Sequence, residues 1–162
     1  MRIKIISTGG TIDKIYFDAK SEFEVGAPQA GVLLAEANVS FDYEVISLLR
    51  KDSLELTDAD RELIRAKVET DPCERIIITH GTDTMVQTAR ALQSLDGKVV
   101  VVTGSMQPAG QRVTDAIFNV GFAVAAVQLL PEGVYIAMNG RIFDPAITRK
   151  NVAQNRFEKD CA

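Results

Sequence analysis

The stretch Arg75-Ile76-Ile77-Ile78-Thr79-His80-Gly81-Thr82-Asp83-Thr84-Met85 decides the fold. Its isoleucines form an apolar strand, Gly81 opens a turn, and a helix over Asp83–Leu95 follows, ended by Asp96-Gly97. The same design stands at the N-terminus, where Ile3-Lys4-Ile5-Ile6 runs into Ser7-Thr8-Gly9-Gly10-Thr11-Ile12. Working outward, strands are expected at Ile3–Ser7, Tyr43–Leu48, Arg75–Thr79, Val99–Thr103 and Val134–Met138. Val99–Thr103 is a continuous β-branched run, the pattern of a strand buried on both faces. Helices separate the strands. One is set to begin at Pro28, with Val32-Leu33-Leu34 as its apolar face. One is capped by Thr57-Asp58-Ala59-Asp60, carries Leu63, Ile64 and Val68, and stops before Pro72. One is a long apolar helix, Asp115–Leu130, stopped by Pro131. Asn139-Gly140 predicts a tight hairpin into Arg141-Ile142-Phe143. Ile12 to Gly26 has no clean period and reads as a loop. The polar tail from Arg149 to Ala162 reads as a final helix or a partly disordered segment. This alternation predicts an α/β fold: a doubly wound, mostly parallel sheet with helices on both faces, Rossmann-like and three-layered.

A chain of 162 residues favours one domain, here 1–162, and can bury its own core. A net charge of −4 argues against a nucleic-acid partner. Cys73 and Cys161 lie far apart and make neither a disulfide framework nor a metal motif, which points to a reducing, cytoplasmic compartment. Met1 to Ile6 reaches Gly9 too soon for a signal-peptide apolar region, and Val120–Leu130 is too short to span a bilayer.

In a parallel α/β sheet the carboxyl ends of the strands share one edge, and ligands bind in the crevice there. Two threonine hydroxyls, Thr11 and Thr82, are delivered to that edge, Thr82 beside the Asp83 carboxylate and near Thr84. Gly9 and Gly10 lack a Cβ and let the backbone approach a ligand. Thr11 could equally be a simple cap, and Asp83 a helix cap. The turn after the first strand lacks the glycine spacing and the Gly-Lys-Ser/Thr ending of phosphate-binding loops. His80, the single histidine, precedes the glycine, and a structural role is favoured over that of a general base. A threonine nucleophile needs a proton acceptor, and a partly desolvated lysine beside an acid can serve. Lys150, within Arg149-Lys150-Asn151, is a candidate whose alternative is a solvated tail residue. Ser53 and Ser105 lie in two further turns at the same edge.

Thr8-Gly9-Gly10-Thr11-Ile12 and His80-Gly81-Thr82-Asp83-Thr84-Met85 together resemble the bacterial-type asparaginase/glutaminase family, whose nucleophile is a threonine. Asp52-Ser53-Leu54-Glu55, Val102-Thr103-Gly104-Ser105-Met106-Gln107-Pro108 and Phe118-Asn119 look like further family segments. The resemblance covers nearly the whole chain but only the family's N-terminal domain, so the expectation is a short form without the second, C-terminal domain. It implies that Thr11 is the nucleophile and that Thr82, Asp83 and Lys150 form a second triad. Gly10, Ser53, Thr82, Asp83 and Ser105 would bind substrate, with Ser53 and Asp83 on its α-carboxylate and α-ammonium and Ser105 near its side-chain amide.

The family assists its first threonine with a tyrosine in a mobile lid. Here Phe23 falls in that slot, and Tyr16 is the nearest replacement. Arg149 competes with Lys150 for the lysine position but cannot act as a base. In the long enzymes the second domain supplies an acidic residue to a neighbouring protomer's site. Shorter enzymes of the family lack it.

The resemblance implies hydrolysis of L-asparagine to L-aspartate and ammonia, with no metal or organic cofactor. A small amino-acid amide is the expected partner, with a homo-oligomer built on the apolar helix, and no nucleic acid or membrane. The rival readings are a glutaminase-type subunit supplying ammonia to an amidotransferase, a non-catalytic amino-acid-binding module and, least favoured because the phosphate-loop motif is missing, a nucleotide-binding Rossmann-like protein.

Overall fold

The computed structural model describes residues 1–160, so Cys161 lies outside the described residues. In chain order the strands and helices are β1 (Arg2–Gly9), β2 (Lys14–Phe17), β3 (Glu22–Val25), α1 (Ala30–Glu36), β4 (Asp42–Lys51), α2 (Asp58–Thr70), β5 (Arg75–Thr79), α3 (Met85–Ala91), β6 (Val99–Thr103), α4 (Ala116–Leu129), β7 (Gly133–Met138), β8 (Arg141–Phe143), β9 (Thr148–Asn151) and β10 (Arg156–Lys159).

Six strands form one sheet in the order β4-β1-β5-β6-β7-β8, parallel except for β8. Strand alternation divides the core in two. Ile76, Ile78, Val100 and Val102 pack with α2 and α3 on one face. Ile77, Val99 and Val101 pack with α1 and α4 on the other. The expected three-layer, doubly wound domain is what the chain forms. From β1 the chain passes to β4 on one side and later returns to β5 on the other, so the order reverses between β1 and β5, where open α/β sheets bind ligands.

The placement of the helices has a consequence for topology. The chain moves in the same direction across the sheet from β5 to β6 and from β6 to β7, yet α3 and α4 lie on opposite faces. The β6–α4–β7 crossover therefore has the opposite hand to the others. Right-handed connections dominate overwhelmingly, which marks this one as the left-handed exception. The loop from β6 to α4 must then pass across the strand-end edge, and Ala109 N–H donates to the Ile12 carbonyl at 3.1 Å on the way.

Local signals hold where they are self-contained. Thr57 caps α2 in a reciprocal box with Asp60. Asn139 and Gly140 take φ of 52° and 72°, as the tight β7–β8 hairpin needs. Several expectations are corrected. The segment Ile12 to Gly26 is not a loop but a short 3-10 turn (Thr11–Asp13) followed by the β2–β3 hairpin. Its strands have only four residues each, too few for a clean period. The tail is neither helical nor disordered through Lys159: it forms the β9–β10 hairpin, with Arg149 opposite Glu158. Helix α1 starts at Ala30, beyond Pro28. Helix α3 starts at Met85 rather than Asp83 and is only seven residues long.

Candidate active site

Four turns meet at the carboxyl edge, and glycines let them touch. A Cβ on Gly10 would lie 2.3 Å from the Gly81 nitrogen, and one on Gly81 would lie 2.6 Å from Ser53 Oγ. A Cβ on Gly104 would lie 2.2 Å from the His80 carbonyl oxygen. The turns that carry Thr11, Thr82, Ser53 and Ser105 thus form one continuous floor, with backbones closer than any side chain would allow.

Hydrogen bonds fix each turn and tie the turns to one another. Gly10, at φ 85°, donates to the Lys51 carbonyl at 2.9 Å. Ser53 is buried in a 3-10 turn that Asp52 caps through Leu54 N–H. Lys14 Nζ reaches Asp52 at 2.8 Å, and this contact chiefly holds the Asp52 carboxyl below its ordinary pKa. Thr84 Oγ1 donates to the Ser53 carbonyl at 2.7 Å. Ser105 is buried and donates to the Gln107 carbonyl. The Asp115 carboxylate holds that turn from α4, accepting from Met106 and Gln107 N–H at 2.9 and 3.0 Å. Asn119 adds a bond to the Gly104 carbonyl at 2.9 Å. Phe118, its neighbour in the family pair, is exposed instead.

Thr82, Asp83 and Lys150 converge from positions 67 and 68 residues apart in sequence. Lys150 Nζ lies 2.8 Å from Thr82 Oγ1 and 2.6 Å from Asp83 Oδ1. Lys150 is largely buried, while Asp83 is 42% exposed. Asp83 is not a helix cap, because Thr84 is the N-cap of α3. Arg149, the competing residue, pairs with Glu158 at 2.7 Å and lies 3.8 Å from Asp160, away from the threonine.

His80 is fully buried. Nδ1 lies 2.7 Å from the Gly81 carbonyl and Nε2 lies 2.8 Å from Thr88 Oγ1. Burial pushes its pKa down to about 4. A neutral imidazole with both nitrogens occupied braces the Gly81 turn and is closed to proton exchange with a substrate. Tyr16 projects from β2 directly opposite Phe23 on β3, ring centroids 5.4 Å apart, and is half exposed. Thr11 is half-buried at the start of its 3-10 turn.

Sequence reasoning passed over Asp13, which is fully buried and accepts from Ser7 Oγ at 2.5 Å and Gln29 N–H at 2.8 Å. The available signal was a carboxylate two residues beyond Thr11 in a segment read as a loop. The Lys14–Asp52 pair and the Asp115–Asn119 brace were passed over as well.

Fold and site together define an open α/β protein whose switch point gathers two threonines, a carboxylate and a lysine. Comparison with known proteins gives that class its family. A family profile described as Asparaginase, N-terminal, matches residues 2–158, and the chain belongs to the asparaginase family. Among solved structures, the thermostable L-asparaginase from Thermococcus kodakarensis superposes with a TM-score of 0.82 at 27% identity, covering 98% of this chain and 51% of that one. L-asparaginase I from Vibrio cholerae gives 0.83 at 29% identity, with the same coverage. Among curated relatives, a component of the glutamyl-tRNA(Gln) amidotransferase of Methanococcus vannielii is 30% identical over 156 residues, 88% of this chain and 35% of that protein. The corresponding amidotransferase component of Saccharolobus islandicus is 34% identical over 146 residues, 81% of this chain and 31% of that protein. The chain spans about half the length of these structures and about a third of the curated relatives.

Proposed function

We propose that the chain is an amidohydrolase that converts L-asparagine to L-aspartate and ammonia through Thr11. The observation that carries this reading is the Lys150 ammonium within hydrogen-bond distance of both Thr82 Oγ1 and Asp83 Oδ1. A binding site has no need of a partly desolvated lysine aimed at a threonine hydroxyl, whereas amide hydrolysis needs a relay for protons.

Thr11 Oγ attacks the side-chain carbonyl carbon of asparagine. The negative charge that develops on oxygen is stabilised by backbone N–H groups of the turns. The C–N bond breaks, the nitrogen takes a proton, and ammonia leaves an ester on Thr11. Water then adds to the ester, Thr11 recovers its proton, and aspartate departs. The Thr82–Asp83–Lys150 cluster moves the protons. Ser53 and Asp83 hold the α-carboxylate and α-ammonium, Gly10 allows close approach, and Ser105 lines the amide end. The β2–β3 hairpin closes over the substrate and excludes water. Tyr16 stands directly opposite Phe23 in the hairpin ladder, which supports it as the replacement for the tyrosine that the family slot lacks.

A second reading is favoured by the curated relatives: an ammonia-supplying component of an amidotransferase, with glutamine as the amide and a protein partner. We also read the chain as a homo-oligomer, because α4 carries no charged residue and turns Ile117, Phe118 and Leu129 outward, each more than 60% exposed. A cytoplasmic location belongs to the same reading. No described helix is long and apolar enough to cross a membrane, and the similar Campylobacter jejuni protein is described as a probable cytoplasmic L-asparaginase.

The test is ammonia release by the purified chain from L-asparagine and L-glutamine, beside Thr11→Ala. Release that disappears in the variant, with asparagine preferred, is the expected result. Release from glutamine alone moves the assignment to the amidotransferase component. No release from either amide, with aspartate affinity unchanged by Thr11→Ala, reduces the protein to an amino-acid-binding module.

A further inference from the structure

Asp13 belongs to none of the roles above, yet it is bonded to the Thr11 turn, to the end of the β2–β3 hairpin, to β1 and to the start of α1. Its N–H donates to the Gly10 carbonyl at 3.1 Å, closing the turn that carries Thr11. Its carbonyl accepts from Gly26 N–H at 2.8 Å, where the β2–β3 hairpin ends. Its carboxylate accepts from Gln29 N–H, at the start of α1, and from Ser7 Oγ, at the end of β1. Ser7 Oγ in turn accepts from Gly9 N–H at 3.3 Å, so the carboxylate reaches into the Gly9-Gly10 turn through the serine. Lys14, the next residue, fastens the first hairpin strand to the Ser53 turn through Asp52.

We propose that Asp13 is a positioning residue, a latch whose backbone and carboxylate lock the Thr11 turn to both roots of the β2–β3 hairpin. The position of the hairpin and the placement of the Thr11 hydroxyl are then set together. Beyond the Lys14–Asp52 pair, little apolar packing holds the hairpin: Ile15, Tyr16, Phe17 and Phe23 are each more than 40% exposed. A fully buried carboxylate is costly to retain, and burial raises the pKa of Asp13 against the bonds from Ser7 and Gln29. Both carboxylate oxygens face donors, so asparagine, with one acceptor and one donor, cannot reproduce the arrangement despite its equal size.

The inference rests on the amidohydrolase reading for its effect on turnover, but not for its effect on the hairpin. The experiment compares wild type, Asp13→Asn, Ser7→Ala and the double variant of the full chain. It reads backbone hydrogen exchange across residues 14–25, exchange across β5 and β6, and kcat and KM for asparagine. In Asp13→Asn, exchange across 14–25 should rise at least about tenfold while β5 and β6 stay protected. The turnover number should fall roughly a hundredfold, with KM changed much less, as for a misplaced reacting group. Ser7→Ala should lower kcat with a smaller rise in exchange, and the double variant should fall little further than Asp13→Asn, because the two side chains act as one unit. Hairpin exchange at the wild-type level in both single variants overturns the latch, and so does faster exchange with kcat untouched. If Asp13→Asn loses protection throughout, Ser7→Ala alone decides between these outcomes. If wild type releases no ammonia, the amidohydrolase reading fails, and the exchange measurement still decides whether Asp13 holds the hairpin.

Discussion

Two hairpins are joined to the strand-end turns and are built in opposite ways. The C-terminal one, β9–β10, carries Lys150 and is tied down along its length. Phe157 is buried against Phe143, and its N–H donates to Asn139 Oδ1 at 2.9 Å. Arg90 of α3 grips the Pro145 and Thr148 carbonyls at 2.8 and 3.2 Å. The N-terminal one, β2–β3, carries Tyr16, is anchored at its roots and leaves its apolar side chains half exposed. Regions with few buried contacts open at low free-energy cost, whereas precise sites sit on well-packed elements. Lys150, the proton carrier of the proposed reaction, therefore sits on the fixed arm, and Tyr16, its proposed lid residue, on the free one.

The largest effect expected from this contrast is on chemistry rather than stability. Lys150→Met keeps the length of the side chain and removes the amine. Asp83 is partly exposed, so the lost ion pair contributes little to folding. Turnover of asparagine should fall by about a thousandfold, within the usual range for a positioned acid–base group, with melting close to wild type. Stopped or slowed ammonia release is the readout. A variant that keeps wild-type turnover would remove Lys150 from the proton path and leave the fixed arm without a catalytic reason to be fixed.

Next in size is a paired stability measurement that tests the difference between the arms directly. Phe157→Ala empties a buried site and should cost about 3–5 kcal/mol in denaturant unfolding. Phe23→Ala removes a half-exposed ring and should stay within about 0.5 kcal/mol. Equal losses would show that the two hairpins are equally integrated, and the division into fixed and free arms would be wrong.

The same contrast shows where the sequence could be read. Arg75–Thr79 and Val99–Thr103 are strands to the residue, because a central parallel strand needs only an unbroken apolar run. Thr57–Asp60 and Asn139-Gly140 were legible because their chemistry closes within four residues. The two hairpins were not legible. Each has four-residue strands, and the β9–β10 pairing rests on Arg149–Glu158 and Asn151–Glu158 contacts between polar residues that carry no periodicity. The hand of the β6–α4–β7 crossover was out of reach for a different reason. Helix α4 is apolar on nearly every side, so nothing in its pattern states which face of the sheet it will cover. Lys150 could be joined to Thr82 only through the family resemblance, since the contact spans 68 residues. Asp13 went unread because a buried carboxylate is recognised by its donors, and those come from Ser7 and Gln29 on separate elements.

The smallest effect expected concerns the free arm, and it separates a lid that only covers from a lid that takes part. Tyr16→Phe deletes one hydroxyl and keeps the ring packed against Phe23. With the side chain half exposed, folding should be unchanged. If the phenol meets the reacting atoms only when the hairpin closes, kcat should fall by about ten- to a hundredfold while KM moves little, because the lost interaction exists only in the transition state. A rise in KM at constant kcat would instead assign Tyr16 to substrate binding. No change in either constant would leave the hairpin as a cover alone, with its activity-relevant contacts confined to the roots at Asp13, Lys14 and Gly26.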